Sequence, residues 1–334
     1  MPAQDVGSIA RHSPQFLLEL LGSEREAECD PLRVPIESRN QGRALESTAS
    51  FSRMPCWFMN EAYKNAMNAA SDSPGQSRPT ITVVGFGACT ITGYPVDEKD
   101  SFLRLALVRT QPEIDAEIKC RITALSSCLA PTAAESLEEN VFPHHPDIVV
   151  LQFGQSDAKI AVRRAWNEVL GRPKRKGPRP PVQVANRPPN FGNRMNAFLR
   201  GCGGLALGAR PVTSRSVYRQ SIAKMVDSVI SIGAYPIVFG PFVFDNFLSD
   251  AWARCYSCDL TADFAGRADV CIIDGWKLLA QYPRNQTLLH DGLHLSQWGH
   301  EVLAQSLKPK LVEWIQAHAS KSSRATESCA HGLG

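Results

Sequence analysis

The chain has 334 residues, 43% of them apolar, which is enough to bury a full core and far from the composition of a disordered or fibrous protein. A formal net charge of +3 is too small to make nucleic acid or a membrane the principal partner, so any basic signal has to be local. In chain order, the N-terminus (MPAQDVGSIARHSPQFLLELLGSERE) has no charged start followed by a long apolar stretch, and the burst from Phe16 to Leu21 is too short for a secretion signal. Nothing further on reaches the roughly 18 consecutive apolar residues of a membrane span. The expectation is therefore a soluble, cytoplasmic protein without a membrane partner. Ten cysteines without regular spacing read as scattered thiols rather than a disulfide framework.

Residues 1–75 mix polar runs with isolated apolar patches and lead into SDSPGQSRP, which predicts an N-terminal extension, partly disordered, followed by a linker. Within it MPCWFMNEAYKNAM, with Trp57, Phe58 and Met59, suits a short helix docked on the core. From Thr80 onward the pattern changes. Five short β-rich runs follow: ITVVGF (81–86), IKCRITAL (118–125), DIVVLQF (147–153), AYPIVFG (234–240) and DVCIID (269–274). They are continuous rather than alternating, as in strands buried on both faces of a parallel sheet.

Helical patterns separate the strands: SFLRLALVR, then TAAESLEENV, then SVYRQSIAKMVDSVISIG, in which Val217, Ile222, Met225, Val226, Val229 and Ile230 recur at helical spacing before Gly233 stops the run. A final helix is expected from about Ser296 to Ala317. This alternation predicts an α/β fold, a three-layer α/β/α sandwich with a five-stranded parallel sheet in the flavodoxin-like order 2-1-3-4-5. In that order the first and third strands are neighbours at the topological switch point, and the loops at their carboxyl ends hold the chemistry.

The predicted domain spans 76–318, with a flexible tail over 319–334. It is interrupted by a basic, proline-rich insertion over 158–214, in which Arg163, Arg164, Arg172, Lys174, Arg175, Lys176, Arg179, Arg187 and Arg194 face Glu168 alone. Such a cluster is usually solvated. Its functional alternative is an electrostatic guide for an anionic substrate or polysaccharide, and nucleic acid is disfavoured because aromatic residues do not interleave it. Cys255 and Cys258 form a C-x-x-C without a second ligand pair, so no metal is expected, and they lie in ARCYSCDLTADF, a polar stretch with no clear element.

Chemistry concentrates in two places. After the first strand comes GFGACTITGYP, Gly85 to Pro95, in which two glycines before Cys89 allow a sharp turn that lifts its side chain clear of the strand end. Before the final helix stands DGLH, Asp291 to His294. A carboxylate three residues before an imidazole can accept its Nδ1–H through a turn, which fixes the tautomer and supports the imidazolium formed when Nε2 takes a proton. His144, His145 and His290 belong to no motif and read as loop residues.

On these residues the chain resembles the SGNH/GDSL hydrolases. GFGACTITGYP resembles the first family block, LQFGQSD the third, and DGLHLSQWGHEVLA the fifth, in order over about residues 80–318. Ala88 and Cys89 stand where the family has Asp and the nucleophilic Ser. Ser156 stands at the position of the Asn that donates to the oxyanion hole, and the second block, near Ser127, lacks its glycine. The resemblance implies a Cys89–His294–Asp291 triad forming an acyl-enzyme, with an oxyanion hole built from the amides of Cys89 and the Ser127 region and from the Ser156 hydroxyl. Asp157 is expected to tie its loop to the backbone. The implied activity is ester cleavage, of the esterase or carbohydrate O-deacetylase class, on a small-molecule or carbohydrate ester and without metal or organic cofactor. The alternatives are a catalytically silent binding protein of the same fold, favoured by the replaced block residues, and an acyltransferase acting on polysaccharide.

Overall fold

The structure is a computed structural model that describes residues 78–160 and 188–330, with the backbone alone described over 319–330. The expected N-terminal extension, its Trp57 segment and most of the basic insertion lie outside the described residues.

Strand β1 (Thr80–Gly87) is followed by α1 (Phe102–Thr110), β2 (Glu117–Ala124), α2 (Ala130–Val141) and β3 (Ile148–Gln152). Beyond the insertion come α3 (Phe191–Ala206), α4 (Arg215–Ser231), β4 (Tyr235–Phe239), α5 (Phe247–Asp263) and β5 (Cys271–Ile273). Two short helices, α6 (Gly275–Ala280) and α7 (Arg284–Thr287), lead to the long α8 (Gln297–Ala330). The helix starts are chemically marked: Ser101 accepts the Arg104 N–H at 3.3 Å ahead of α1, and Asn190 and Asn193 form a reciprocal capping box ahead of α3.

All five strands pair in parallel, in the order β2-β1-β3-β4-β5, as the strand and helix alternation predicts. Successive side chains of a strand point to opposite faces, and here both faces are apolar. Val84, Phe86, Val149, Leu151 and Val238 pack beneath α2, α4 and α5, while Val83, Ile148, Val150, Ile237 and Phe239 pack against α1 and α8. That double burial is why the central strands read as unbroken apolar runs. The edge strand β2 departs from the expectation. It alternates exposed and half-buried residues over Glu117–Ile122, and among the described residues no strand pairs with its outer side.

Three further differences concern helices. Residues 247–263, read from sequence as without a clear element around Cys255 and Cys258, form α5. Within the range of the insertion, Phe191–Ala206 forms α3. The last helix continues past Ala317 to Ala330 because the run ASKSSRATESCA contains neither Gly nor Pro to stop it. The register sets Gly87 opposite both Ala124 and Gln152, so the carboxyl ends of β2, β1 and β3 finish level and their loops leave side by side.

Candidate active site

The nucleophile candidate is set by the end of β1. Ala88 still donates to the Gln152 carbonyl of β3 at 3.2 Å, and the next residues, Cys89–Thr92, wind a single 3-10 turn. The Cys89 carbonyl accepts from the Thr92 hydroxyl at 2.7 Å and from the Tyr94 N–H at 3.2 Å, so the turn pins the backbone that carries the thiol. The expectation that Gly85 and Gly87 make this turn is corrected: both lie inside β1. Gly87 instead allows β1 and β3 to approach, because a Cβ there would lie 2.8 Å from the Gln152 carbonyl oxygen. The half-buried Cys89 thus stands at the switch point between β1 and β3.

The acid–histidine pair comes from the loop between α7 and α8. Asp291 Oδ1 accepts the N–H groups of Leu293 and His294, both at 3.1 Å, which closes the turn that the three-residue spacing requires. Its Oδ2 lies 2.5 Å from His294 Nδ1, and His294 Nε2 lies 3.4 Å from Cys89 Sγ. Residues 205 apart in the chain therefore form one line of thiol, imidazole and carboxylate. The ring of Tyr94 stands edge-on to His294 with centroids 5.3 Å apart.

The charges agree with that line. Burial acts against the imidazolium of His294, but its hydrogen bonds to Asp291 and Cys89, with their charges, outweigh burial and raise its pKa to about 9. Asp291 shows the opposite balance: burial raises its pKa, and the bonds and charge from His294 bring it down to about 2. Each member of the pair thus favours the charged form of the other.

Two braces were not legible in the sequence. Gln155, buried, reaches from the loop after β3 to donate to the carbonyls of Leu293 at 3.4 Å and Val243 at 3.5 Å, and it accepts the Phe242 N–H at 2.8 Å. It staples the histidine loop to the loop after β4. Asp245, in that second loop, donates its N–H to the Gly292 carbonyl at 3.0 Å. Gly292 has φ +66, and a Cβ there would lie 2.5 Å from Asp245 Cβ, so a side chain is excluded inside the DGLH turn.

The oxyanion candidates differ among themselves. The loop after β2 starts bonded to the site, with Leu125 donating to the Gly87 carbonyl at 2.9 Å. Ser127, two residues on, has φ +54. The left-handed backbone that a glycine favours is therefore present without the glycine, at a cost of about 1–2 kcal/mol. Among the described residues neither the Cys89 nor the Ser127 amide has an acceptor. Ser156 is half-buried, and its hydroxyl has no hydrogen-bond partner among the described residues. Asp157 accepts from the Ala130 N–H at 3.0 Å and the Thr213 hydroxyl at 2.7 Å, tying the loop after β3 to α2.

Among the remaining candidates, His144 and His145 sit just before β3, at the amino end of the sheet and away from Cys89. His290 adjoins Asp291, with its Nδ1 buried and unbonded among the described residues. Cys255 is buried in α5, and among the described residues no group of three or more His, Cys, Asp or Glu could hold a metal ion.

No family model and no curated protein matches the chain. Among solved structures it is similar to TesA, at 14% identity and a TM-score of 0.47 over 69% of this chain and 97% of that one. It is also similar to a lipase/acylhydrolase from Enterococcus faecalis, at 17% identity and a TM-score of 0.46 over 70% of this chain and 96% of that one. A third is a catalytic mutant of Axe2, an acetylxylan esterase from Geobacillus stearothermophilus, at 13% identity and a TM-score of 0.45 over 70% of this chain and 94% of that one.

Proposed function

We propose that this α/β/α domain is an SGNH-like hydrolase that cleaves an oxygen ester through Cys89, His294 and Asp291. The observation that carries the reading is the continuous line from Cys89 Sγ to His294 Nε2 at 3.4 Å and from His294 Nδ1 to Asp291 Oδ2 at 2.5 Å. It stands at the switch point, where open α/β sheets bind their ligands.

In this mechanism His294, held in one tautomer by Asp291, takes the Cys89 proton, and the sulfur attacks the ester carbonyl. A histidine whose pKa is about 9 keeps that proton readily at neutral pH, and a thiolate beside an imidazolium is the attacking form of a cysteine enzyme. The oxyanion is held by the unoccupied amides of Cys89 and Ser127, with the Ser156 hydroxyl as the side-chain donor. His294 then returns its proton to the leaving alcohol, and water, activated by the same imidazole, releases the acid and restores the thiol. Substrates are small-molecule or carbohydrate esters.

The test is hydrolysis of short-chain p-nitrophenyl esters by wild type beside Cys89→Ala, Cys89→Ser and His294→Ala. Loss of at least about a thousandfold in kcat is expected in both alanine variants, because the triad members act as one unit. Wild-type activity equal to that of Cys89→Ala sinks the reading. If Cys89→Ser is inert too, the domain is a silent binding protein. Acyl transfer to an added sugar in preference to water would make it a transferase.

A further inference from the structure

The turn that carries His294 is flanked by the loops after β3 and β4, and the three are anchored differently. The loop after β4 is the fixed one. Phe242 and Val243 are fully buried against α1 and α8, and the Phe244 N–H donates to Asp250 Oδ1 at 2.8 Å. Asp250, on α5, also accepts from Trp276 Nε1 at 3.1 Å and from Arg284 at 3.0 Å, so one carboxylate ties that loop to α6 and α7. The histidine turn instead closes on itself. Asp291 Oδ1 accepts from Leu293 and His294, and the Leu289 N–H donates to the His294 carbonyl at 2.8 Å. Those bonds fix the shape of the turn and leave its position over Cys89 to contacts with its neighbours.

Gln155 makes such a contact from the loop after β3, where it is only 6% exposed. Its Oε1 accepts the Phe242 N–H at 2.8 Å, while its Nε2 donates to the Val243 carbonyl at 3.5 Å and to the carbonyl of Leu293, the residue before His294, at 3.4 Å. Asn and Gln are the side chains that offer two donors and an acceptor without charge, and of the two Gln has the longer arm. On its other side the same loop is anchored by the fully buried Asp157, which accepts from the Ala130 N–H and the Thr213 hydroxyl. Ser156 therefore stands between two buried anchors, one leading to α2 and Thr213 and the other to the histidine turn.

We propose that Gln155 is a positioning residue that uses the loop after β4 as its reference, holding His294 within reach of Cys89 and Ser156 at a fixed offset from both. The proposal rests on the ester-cleaving reading for the roles of those three residues and adds the group that keeps them in register. The partners of Gln155 are backbone groups of Phe242, Val243 and Leu293, so it acts on the thiol and imidazole through the loops. The contact it protects is sensitive, because a displacement of about 1 Å at a reacting group costs on the order of a hundredfold in rate.

The experiment compares the full-length wild type with Gln155→Met, which fills similar space without a donor or acceptor, well below the melting midpoint of each. In p-nitrophenyl acetate hydrolysis kcat is expected to fall about tenfold to a hundredfold, with KM changed by less than about threefold. Alkylation of Cys89 by iodoacetamide at pH 7, read by mass spectrometry on the peptide that carries it, is expected to slow at least about fivefold as the imidazole leaves the thiol. The second readout needs no ester turnover and so separates the two ideas. Wild-type hydrolysis equal to that of Cys89→Ala sinks the ester-cleaving reading, whereas slowed alkylation in Gln155→Met still supports the link from Gln155 to the Cys89–His294 contact. A lower melting midpoint with kcat and alkylation both unchanged overturns the proposal and leaves Gln155 a structural brace. If Gln155→Met does not fold, Gln155→Glu carries the same test, since it keeps an acceptor for the Phe242 N–H and sets a carboxyl group against the two carbonyls. The same two losses are expected there, and their absence overturns the proposal equally.

Discussion

At the scale of single residues, the site rests on how strongly Asp291 commits His294 to its proton. The imidazole pKa of about 9 has burial working against it, so removing the carboxylate charge leaves burial with less opposition. In Asp291→Asn, His294 is expected to titrate at least one pH unit lower than in wild type, read from its imidazole proton resonance. An unchanged titration would mean that Asp291 only shapes the loop. The linked stability has a definite sign. For His294, whose pKa is raised on folding, the contribution is complete below about pH 6.5 and fades as pH rises through about 9. For Asp291, lowered to about 2, it is complete above its ordinary value and fades as pH falls toward 2. These residues were legible because each is announced by its neighbours: Cys89 by the end of an apolar run, Asp291 and His294 by a spacing that one turn can close. Gln155 was not, since its partners lie 88 and 138 residues away and no local pattern marks a side chain that joins two distant loops.

At the scale of elements, helices on one face of the sheet also bind each other, and one of those contacts, between α1 and α8, is pH-sensitive. His300 of α8 is fully buried and accepts the N–H of Phe102, the first residue of α1, through Nδ1 at 3.3 Å. Burial, then the charge of His294, lowers its pKa to about 3. Because that value lies below the ordinary 6.5, protons favour the unfolded chain, and stability is lost as pH falls from about 6.5 toward 3. His300→Asn, whose side-chain oxygen can still accept from Phe102, is expected to lose about 1–3 kcal/mol at neutral pH from the smaller side chain. Its melting temperature should then fall less steeply than that of wild type between pH 7 and 4. Parallel curves would show that some other group governs acid unfolding. The element missed in the sequence, α5, was hidden by its own buried polar groups. Ser257 donates to Asp274 at 2.6 Å, and Asp259 accepts two bonds from Arg215 at 2.6 and 2.8 Å, so part of its buried face is written in polar letters. Helical periodicity is read from apolar residues, and partnered polar ones break it.

At the scale of the whole molecule, the parallel sheet followed from the alternation of apolar runs and amphipathic helices, because parallel strands need crossovers and crossovers of this length are helices, and the flavodoxin-like order was the simplest arrangement consistent with it. The limits of the autonomous domain rest on a similar argument. Among the described residues the two buried clusters begin at Val83 and end at Ile315, and the last aromatic contacts are those of Trp314, stacked on Tyr235 and on His318. Cys89, His294 and Asp291 and the loops that brace them fall within these bounds. A fragment comprising residues 76–318 is therefore expected to unfold in a single transition with a midpoint within about 4 °C of the full chain, the equivalent of roughly 1 kcal/mol for a domain of this size. It should also hydrolyse p-nitrophenyl esters at the full-length rate. A fragment that aggregates, or one that folds at the same midpoint but loses activity, would instead make residues 1–75 or 319–334 part of the working protein, by completing the core in the first case and the site in the second.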